Sequence, residues 1–153
     1  MSAFELPAAT QIMVGLDASS KKQLVEQLAE RAADITGLPR RTFFDAIMRR
    51  ERLGSTAVGD GIALPHIMHP ELRENVTILA ILDKPVDFDA ADKKPVDIIC
   101  LVAGSENSDV DHLKYLSGMA RLLRSDNRCQ KLRQASSIEG VMRCFQHPKH
   151  AAA

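Results

Sequence analysis

The stretch GSTAVGDGIALPHIMHP, running from Gly54 to Pro70, holds the residues best equipped for chemistry. His66 follows Pro65 at the end of a short apolar run. Proline has a fixed φ and confines the residue before it to extended backbone, so Leu64 and Pro65 aim the imidazole. Gly59 and Gly61 can take φ values closed to other residues, and their backbone N–H groups are expected to turn into a shared anion-binding concavity. Ser55 and Thr56 either add hydroxyl donors to it or only shape the turn. An imidazole beside a bound anion is suited to attack phosphorus, because its neutral form is abundant near neutral pH. The plainer reading of His66 is a structural histidine that ends a strand.

Two more residues join this set. If Ser108 or Asp109 caps the helix that follows, His112 lies in its first turn. Free N–H groups and the positive dipole end favour an anion there and disfavour a protonated imidazole. A neutral His112 would donate one hydrogen bond to a phosphoryl oxygen; otherwise it is a half-buried histidine at a helix end. Arg50 closes an earlier helix, where the macrodipole favours a cation whatever the function. Its functional version is a guanidinium reaching an anion held near His66. Asp60, between two glycines, is expected to make a turn hydrogen bond. His66 and His69 are flanked by Pro65 and Pro70, so no helix bears both, and there is no C-x-x-C or H-E-x-x-H; no metal site is expected. Neither a G-x-x-x-x-G-K-[ST] loop nor a G-x-S-x-G elbow is present, which leaves nucleotide hydrolysis and serine esterase chemistry unsupported.

The elements that must position these groups follow from periodicity. Residues 19–36 predict a helix capped by Ser19 or Ser20, with Leu24, Val25, Leu28 and Ala32 on its apolar side and Gly37 as its stop. A second helix starts near Pro39, buries Phe43, Phe44, Ile47 and Met48, and ends at Gly54. Residues 75–88 and 94–104 are β-branched, nearly continuous apolar runs, read as buried strands. GIALPH reads as a shorter strand ending at the histidine. Lys-Pro-Val-Asp occurs at 84–87 and 94–97, taken as two similar strand entries. A helix to about Arg124 carries Leu113, Leu116, Ala120 and Leu123 on one stripe. Two shorter helical segments follow, DNRCQKLRQA and SSIEGVMRCFQ, and then a tail expected to fray, with His147 and His150 in no specific role. Helices, strands and helices again indicate an α/β domain with a helix-covered sheet.

Composition agrees with one domain over the 153 residues, with the tail from about residue 147 disordered. Apolar residues make up 45% and aromatics only 4%, so the core is aliphatic. Lys+Arg and Asp+Glu number 20 each, for a formal net charge of zero, which argues against a general nucleic-acid binder. No apolar run reaches transmembrane length, and MSAFELPAATQIMVGL lacks the basic start and long apolar stretch of a signal peptide, so a cytoplasmic location is expected. Cys100, Cys129 and Cys144 form no C-x-x-C and read as free thiols in a reducing compartment.

Residues 50–66, RERLGSTAVGDGIALPH, resemble the signature of enzyme IIA domains of the mannitol/fructose type from the bacterial phosphoenolpyruvate phosphotransferase system. The pattern runs Arg-Glu, Gly-Ser-Thr, Gly-x-Gly-Ile-Ala-[Leu/Ile]-Pro-His. The similarity extends over nearly the whole chain, including the leading helix, KPVDIICLV and DHLKYLSGMARLL. It implies a three-layer αβα sandwich around a small mixed sheet, and no metal or organic cofactor. It also implies that His66 accepts the phosphoryl group, that His112 supports the phosphate and that Arg50 is a charge partner. As a chain with no attached sugar-transport domain, it most resembles the nitrogen-related enzyme IIA, a regulator. That subfamily takes phosphate from an HPr-like carrier (NPr type) and binds target proteins according to phosphorylation state; no nucleic-acid partner is expected, and the chain is not expected to be a membrane protein itself. The alternatives are a fructose-type IIA that passes phosphate to a sugar-specific IIB, and a binding module that is never phosphorylated. Ile67, where the family usually has glycine, and Ala103, where many members have proline, depart from the pattern. Both are expected to alter loop shape and partner fit.

Overall fold

The computed structural model describes residues 10–106, 109–124 and 128–145, with the backbone alone over 109–113. The order is β1 (Gln11–Leu16), α1 (Lys21–Thr36), α2 (Arg40–Arg52), β2 (Ala57–Gly59), β3 (Ile62–Ala63), β4 (His66–His69), β5 (Val76–Val86), β6 (Val96–Ser105), α3 (Asp109–Arg124), α4 (Arg128–Gln134) and α5 (Ile138–Arg143).

The first two helices form for the expected reasons. The Ser20 hydroxyl accepts from the Gln23 amide and caps α1, and Gly37 ends it at φ 79°. Pro39 stands at the cap of α2, whose last turn is basic: Arg49, Arg50 and Arg52. Leu24, Val25, Leu28, Ala32, Phe43 and Ile47 are all fully buried. Each such aliphatic or aromatic side chain contributes roughly 1.5–3 kcal/mol by leaving water.

The sheet is mixed. The strands run β1-β5-β6-β3-β2, and β4 pairs with β6 beyond β3. β1 lies parallel to β5, β5 antiparallel to β6, and both β3 and β4 parallel to β6. Side chains alternate along β6 with the period of two that a strand imposes. Ile99, Leu101 and Ala103 join the core under α1 and α2. Ile98, Cys100 and Val102 join a second core with Met119, Leu123, Leu132 and Val141 of α3, α4 and α5. These are the three layers of an αβα sandwich.

Several expectations need correction. The apolar run before the histidine is not one strand: Pro65 has no N–H for a ladder, so β3 stops at Ala63 and His66 opens β4 instead of closing a strand. The two Lys-Pro-Val-Asp segments are not two strand entries. The first lies at the exit of β5 and the second at the entry of β6, and Val86 pairs with Val96 across the antiparallel hairpin. β1 and β2 had no counterpart in the sequence reading. The buried face of α3 centres on Met119 and Leu123, with Leu116 and Ala120 at its half-buried margin. Ser108, the Leu113 side chain and the tail from residue 147 lie outside the described residues.

Candidate functional site

His66 is half-buried at the first position of β4, in register with Val102. Its neighbour Ile67 belongs to the core under α1 and α2. By strand alternation the imidazole therefore faces the other side of the sheet, the side that α3 covers. Pro65 locks the approach: its carbonyl accepts the Val102 amide at 3.0 Å. The ring nitrogen Nδ1 lies 3.0 Å from the Leu64 carbonyl oxygen. A carbonyl only accepts, so Nδ1 carries the proton in the neutral ring and Nε2 carries the lone pair.

His112 is the fourth residue of α3 by its backbone; its side chain lies outside the described residues. α3 begins four positions after β6 ends and packs on that strand, so its first turn stands at the His66 end of the sheet. Arg50 lies in the last turn of α2, which packs against β4. Its Nη1 donates to the Gly54 carbonyl at 3.0 Å, tying off its own helix end. α2 covers the opposite face from α3, so Arg50 meets a group on His66 only by reaching round β4.

Ser55 and Thr56 shape the turn. The Ser55 hydroxyl donates to the Phe88 carbonyl at 2.6 Å and accepts from the Ala57 amide at 3.1 Å. The Thr56 hydroxyl donates to Glu51 Oε2, and its amide donates to Glu51 Oε1 at 3.2 Å. Glu51 is buried and pairs with Lys21 Nζ at 2.9 Å. Lys21 also reaches Asp89 at 3.2 Å and stacks 4.6 Å from the centre of the Phe88 ring. Glu51, Lys21 and the Leu64 carbonyl were missed in the sequence. The available signal was a lone acid inside the basic helix end MRRER, placed to fold back on Thr56.

Gly59 and Gly61 do not cradle an anion beside His66. They form the turn from β2 to β3, at φ 100° and 82°. The Gly61 carbonyl accepts the amides of Asp97 and Ile98 at 3.0 and 3.1 Å. His66 pairs at Val102, five residues further along β6, or about 16 Å at strand rise. What needs glycine at position 61 is crowding as well as φ: a Cβ there would stand 2.6 Å from Arg133 Nη2 and 3.0 Å from Asp97 Oδ1. Arg133 Nε reaches both Asp97 oxygens at 2.9 and 2.8 Å, and its Nη2 donates to the Asp60 carbonyl at 2.6 Å.

His69 Nδ1 accepts the Glu71 amide at 3.1 Å. It stands three positions from His66, an odd step that puts the two rings on opposite faces of β4. Among the described residues no group of three or more His, Cys, Asp or Glu side chains is placed to hold a metal. All three cysteines are free. Burial pushes the Cys100 thiol up to about 12, although a hydrogen bond with Tyr115 opposes it.

Comparison with known proteins bears on this arrangement. The family model of the phosphoenolpyruvate-dependent sugar phosphotransferase system, EIIA 2, matches residues 6–147. The chain belongs to this EIIA 2 family. A nitrogen regulatory protein of Bradyrhizobium diazoefficiens is 39% identical over 149 residues, covering 97% of each chain. The crystal structure of nitrogen regulatory protein IIA-Ntr from Neisseria meningitidis superposes with a TM-score of 0.84 at 30% identity, covering 92% of this chain and 95% of that one. A fructose-specific EIIA component of Haloferax volcanii is 30% identical over 124 residues, 80% of each chain. As an EIIA 2 domain the protein is a phosphotransfer component of that system, related to nitrogen regulators. Among the described residues no helix is long and apolar enough to cross a membrane.

The two departures from the EIIA 2 pattern turn out to be one feature. Ile67 and Ala103 are register partners across β4 and β6. They are 6% and 0% exposed, inside the core under α1 and α2. They lie in strands, not in the loops expected, with both side chains buried in the core.

Proposed function

We propose that this EIIA 2 domain is a cytoplasmic histidine phosphocarrier of the nitrogen-related regulatory branch, with His66 as the phosphoryl acceptor. The observation that carries the reading is the Nδ1–Leu64 hydrogen bond, which leaves Nε2 as the nucleophile. The donor is an HPr-like carrier of the NPr type bearing its own phosphohistidine. Nε2 of His66 attacks phosphorus, the N–P bond to the donor ring breaks, and the donor imidazole keeps that electron pair. The positive charge moves with the phosphoryl group from the donor ring to His66, where Nδ1–H donates to the Leu64 carbonyl and offsets it. No net proton transfer is required. Positioning and charge stabilisation supply most of the rate, as in other phosphoryl transfers.

His112 supports the phosphoryl oxygens from the first turn of α3, whose free N–H groups favour an anion. Arg50 leaves the Gly54 carbonyl to act as charge partner once a dianion is present. Ser55 and Thr56 keep their structural bonds. The single domain, 1–153, then offers targets a surface whose charge depends on phosphorylation, and that selects among regulatory partners. A fructose-type role, passing phosphate to a sugar-specific IIB, is the second reading; the Haloferax relative favours it.

The test is phosphotransfer from phosphoenolpyruvate through enzyme I and an HPr-like carrier, read by intact mass on wild type and His66→Ala. An acid-labile adduct on wild type alone is the expected result. No adduct from a carrier proven on another IIA would overturn the assignment, and rapid onward transfer to a IIB would favour the second reading.

A further inference from the structure

We propose that Glu51, held by Lys21, is a positioning residue for His66, acting through Thr56 and the main chain of Leu64 to fix the imidazole as its Nδ1–H tautomer. This rests on the reading of His66 as phosphoryl acceptor. The links are continuous. Lys21 Nζ pairs with Glu51 Oε1 at 2.9 Å. Glu51 accepts both the amide and the hydroxyl of Thr56. The Thr56 carbonyl accepts the Leu64 amide at 3.0 Å. The Leu64 carbonyl, in turn, faces His66 Nδ1 at 3.0 Å.

Stability alone does not account for the arrangement. The Glu51 side chain is 2% exposed and that of Lys21 16%. A buried ion pair is often no more stabilising than a well-packed apolar pair, whereas removing one partner is costly. What this pair supplies is register. It joins the start of α1 to the end of α2 and stitches both to the loop that pairs with Leu64. Ser55 and Lys21 fasten the same loop to Phe88, which is fully buried. A neutral imidazole chooses its tautomer by its hydrogen-bond partner. If the Leu64 carbonyl shifts, molecules with the proton on Nε2 have no lone pair there to attack phosphorus.

The experiment is nitrogen-15 NMR of the His66 ring near neutral pH, with single-turnover phosphoryl transfer at varied donor concentration. Wild type is compared with Thr56→Val, Thr56→Ser and Glu51→Gln. Wild type and Thr56→Ser are expected to show the Nδ1–H tautomer. Thr56→Val keeps the side-chain shape but strands a buried carboxylate oxygen. It should give mixed tautomers and a transfer rate lower by roughly tenfold to a hundredfold, with donor half-saturation unchanged. Glu51→Gln should do the same. A folded Thr56→Val with wild-type tautomer and rate would overturn the proposal. If Thr56→Val does not fold, Glu51→Gln carries the same test. An Nε2–H ring in wild type would overturn it without any variant. A wild type that shows the Nδ1–H ring but takes no phosphoryl group would instead overturn the acceptor reading, so the two failures are distinct.

Discussion

The two ends of β6 do opposite jobs with pieces of one sequence motif. At the Val102 end, Pro65 interrupts a strand and sets a half-buried imidazole against a main-chain carbonyl. At the Asp97 end, the Gly59–Gly61 turn is clamped by Arg133 and Asp97, and Arg124 of α3 donates to the Val58 carbonyl at 2.6 Å. The first end fixes the orientation of an imidazole. The second spends its charges on holding a hairpin. In GDGIALPH, then, GDG forms the clamped turn, ALPH carries the proposed acceptor, and β3 is the spacer between them.

Substitutions at each end should separate these roles. Phe43→Ala, in the helix that packs on β4, is expected to cost about 3–5 kcal/mol in urea unfolding, because a fully buried ring leaves a cavity. A loss below about 1 kcal/mol would show that the His66 end does not depend on α2. Gly61→Ala is expected to cost at least about 1–2 kcal/mol from its left-handed backbone, with displacement of Arg133 adding to that. Labelling of His66 per folded molecule should not change; a tenfold fall would mean that the two ends are coupled. Arg133→Met should lower stability by about 1 kcal/mol or less, since the pair is partly exposed. Thermal unfolding reads that difference, and a larger cost would place the clamp in the core of the fold.

The smallest effect is a pH dependence confined to the hairpin end. The Asp92 carboxylate accepts the Asp60 amide at 2.9 Å and the Lys94 amide at 3.0 Å, which holds it below its usual 3.8. A lowered carboxyl contributes stability that is complete above its unfolded value and is lost as pH falls through the folded one. The protection factor of the Asp60 amide should therefore fall in acid in the wild type, and Asp92→Asn should flatten that acid limb. An unchanged profile in Asp92→Asn would assign the acid sensitivity elsewhere.

The helices were legible because their signals are local: Ser20 and Gly37 bracket α1, and its buried residues recur at helical spacing. β5 and β6 were legible because strands covered on both faces read as continuous apolar runs. β1 was not, since its parallel partner lies far away in the chain and nothing local marks its ends. His66 stood out because proline and histidine together advertise a constrained imidazole. The glycines misled for a physical reason: positive φ allows an anion nest, but equally a hairpin turn under an arginine, and only register along β6 tells which. Glu51 was hidden because a carboxylate beside arginines on a helix reads as surface charge. Its burial is matched by Lys21, which opens the preceding helix.

The order of the chain also sets a timetable. The apolar faces of α1 and α2, with Leu24, Leu28, Phe43 and Ile47, are made before β5 and β6, against which they are buried. On the ribosome this helical pair lacks its full cover until β6 has been synthesised, about 3–11 s later at typical elongation rates of roughly 5–20 residues per second. β1 also waits, because Gln11 pairs with Ile78. The nascent protein therefore exposes part of its future core for several seconds, which makes its first half a ready client for chaperones during synthesis.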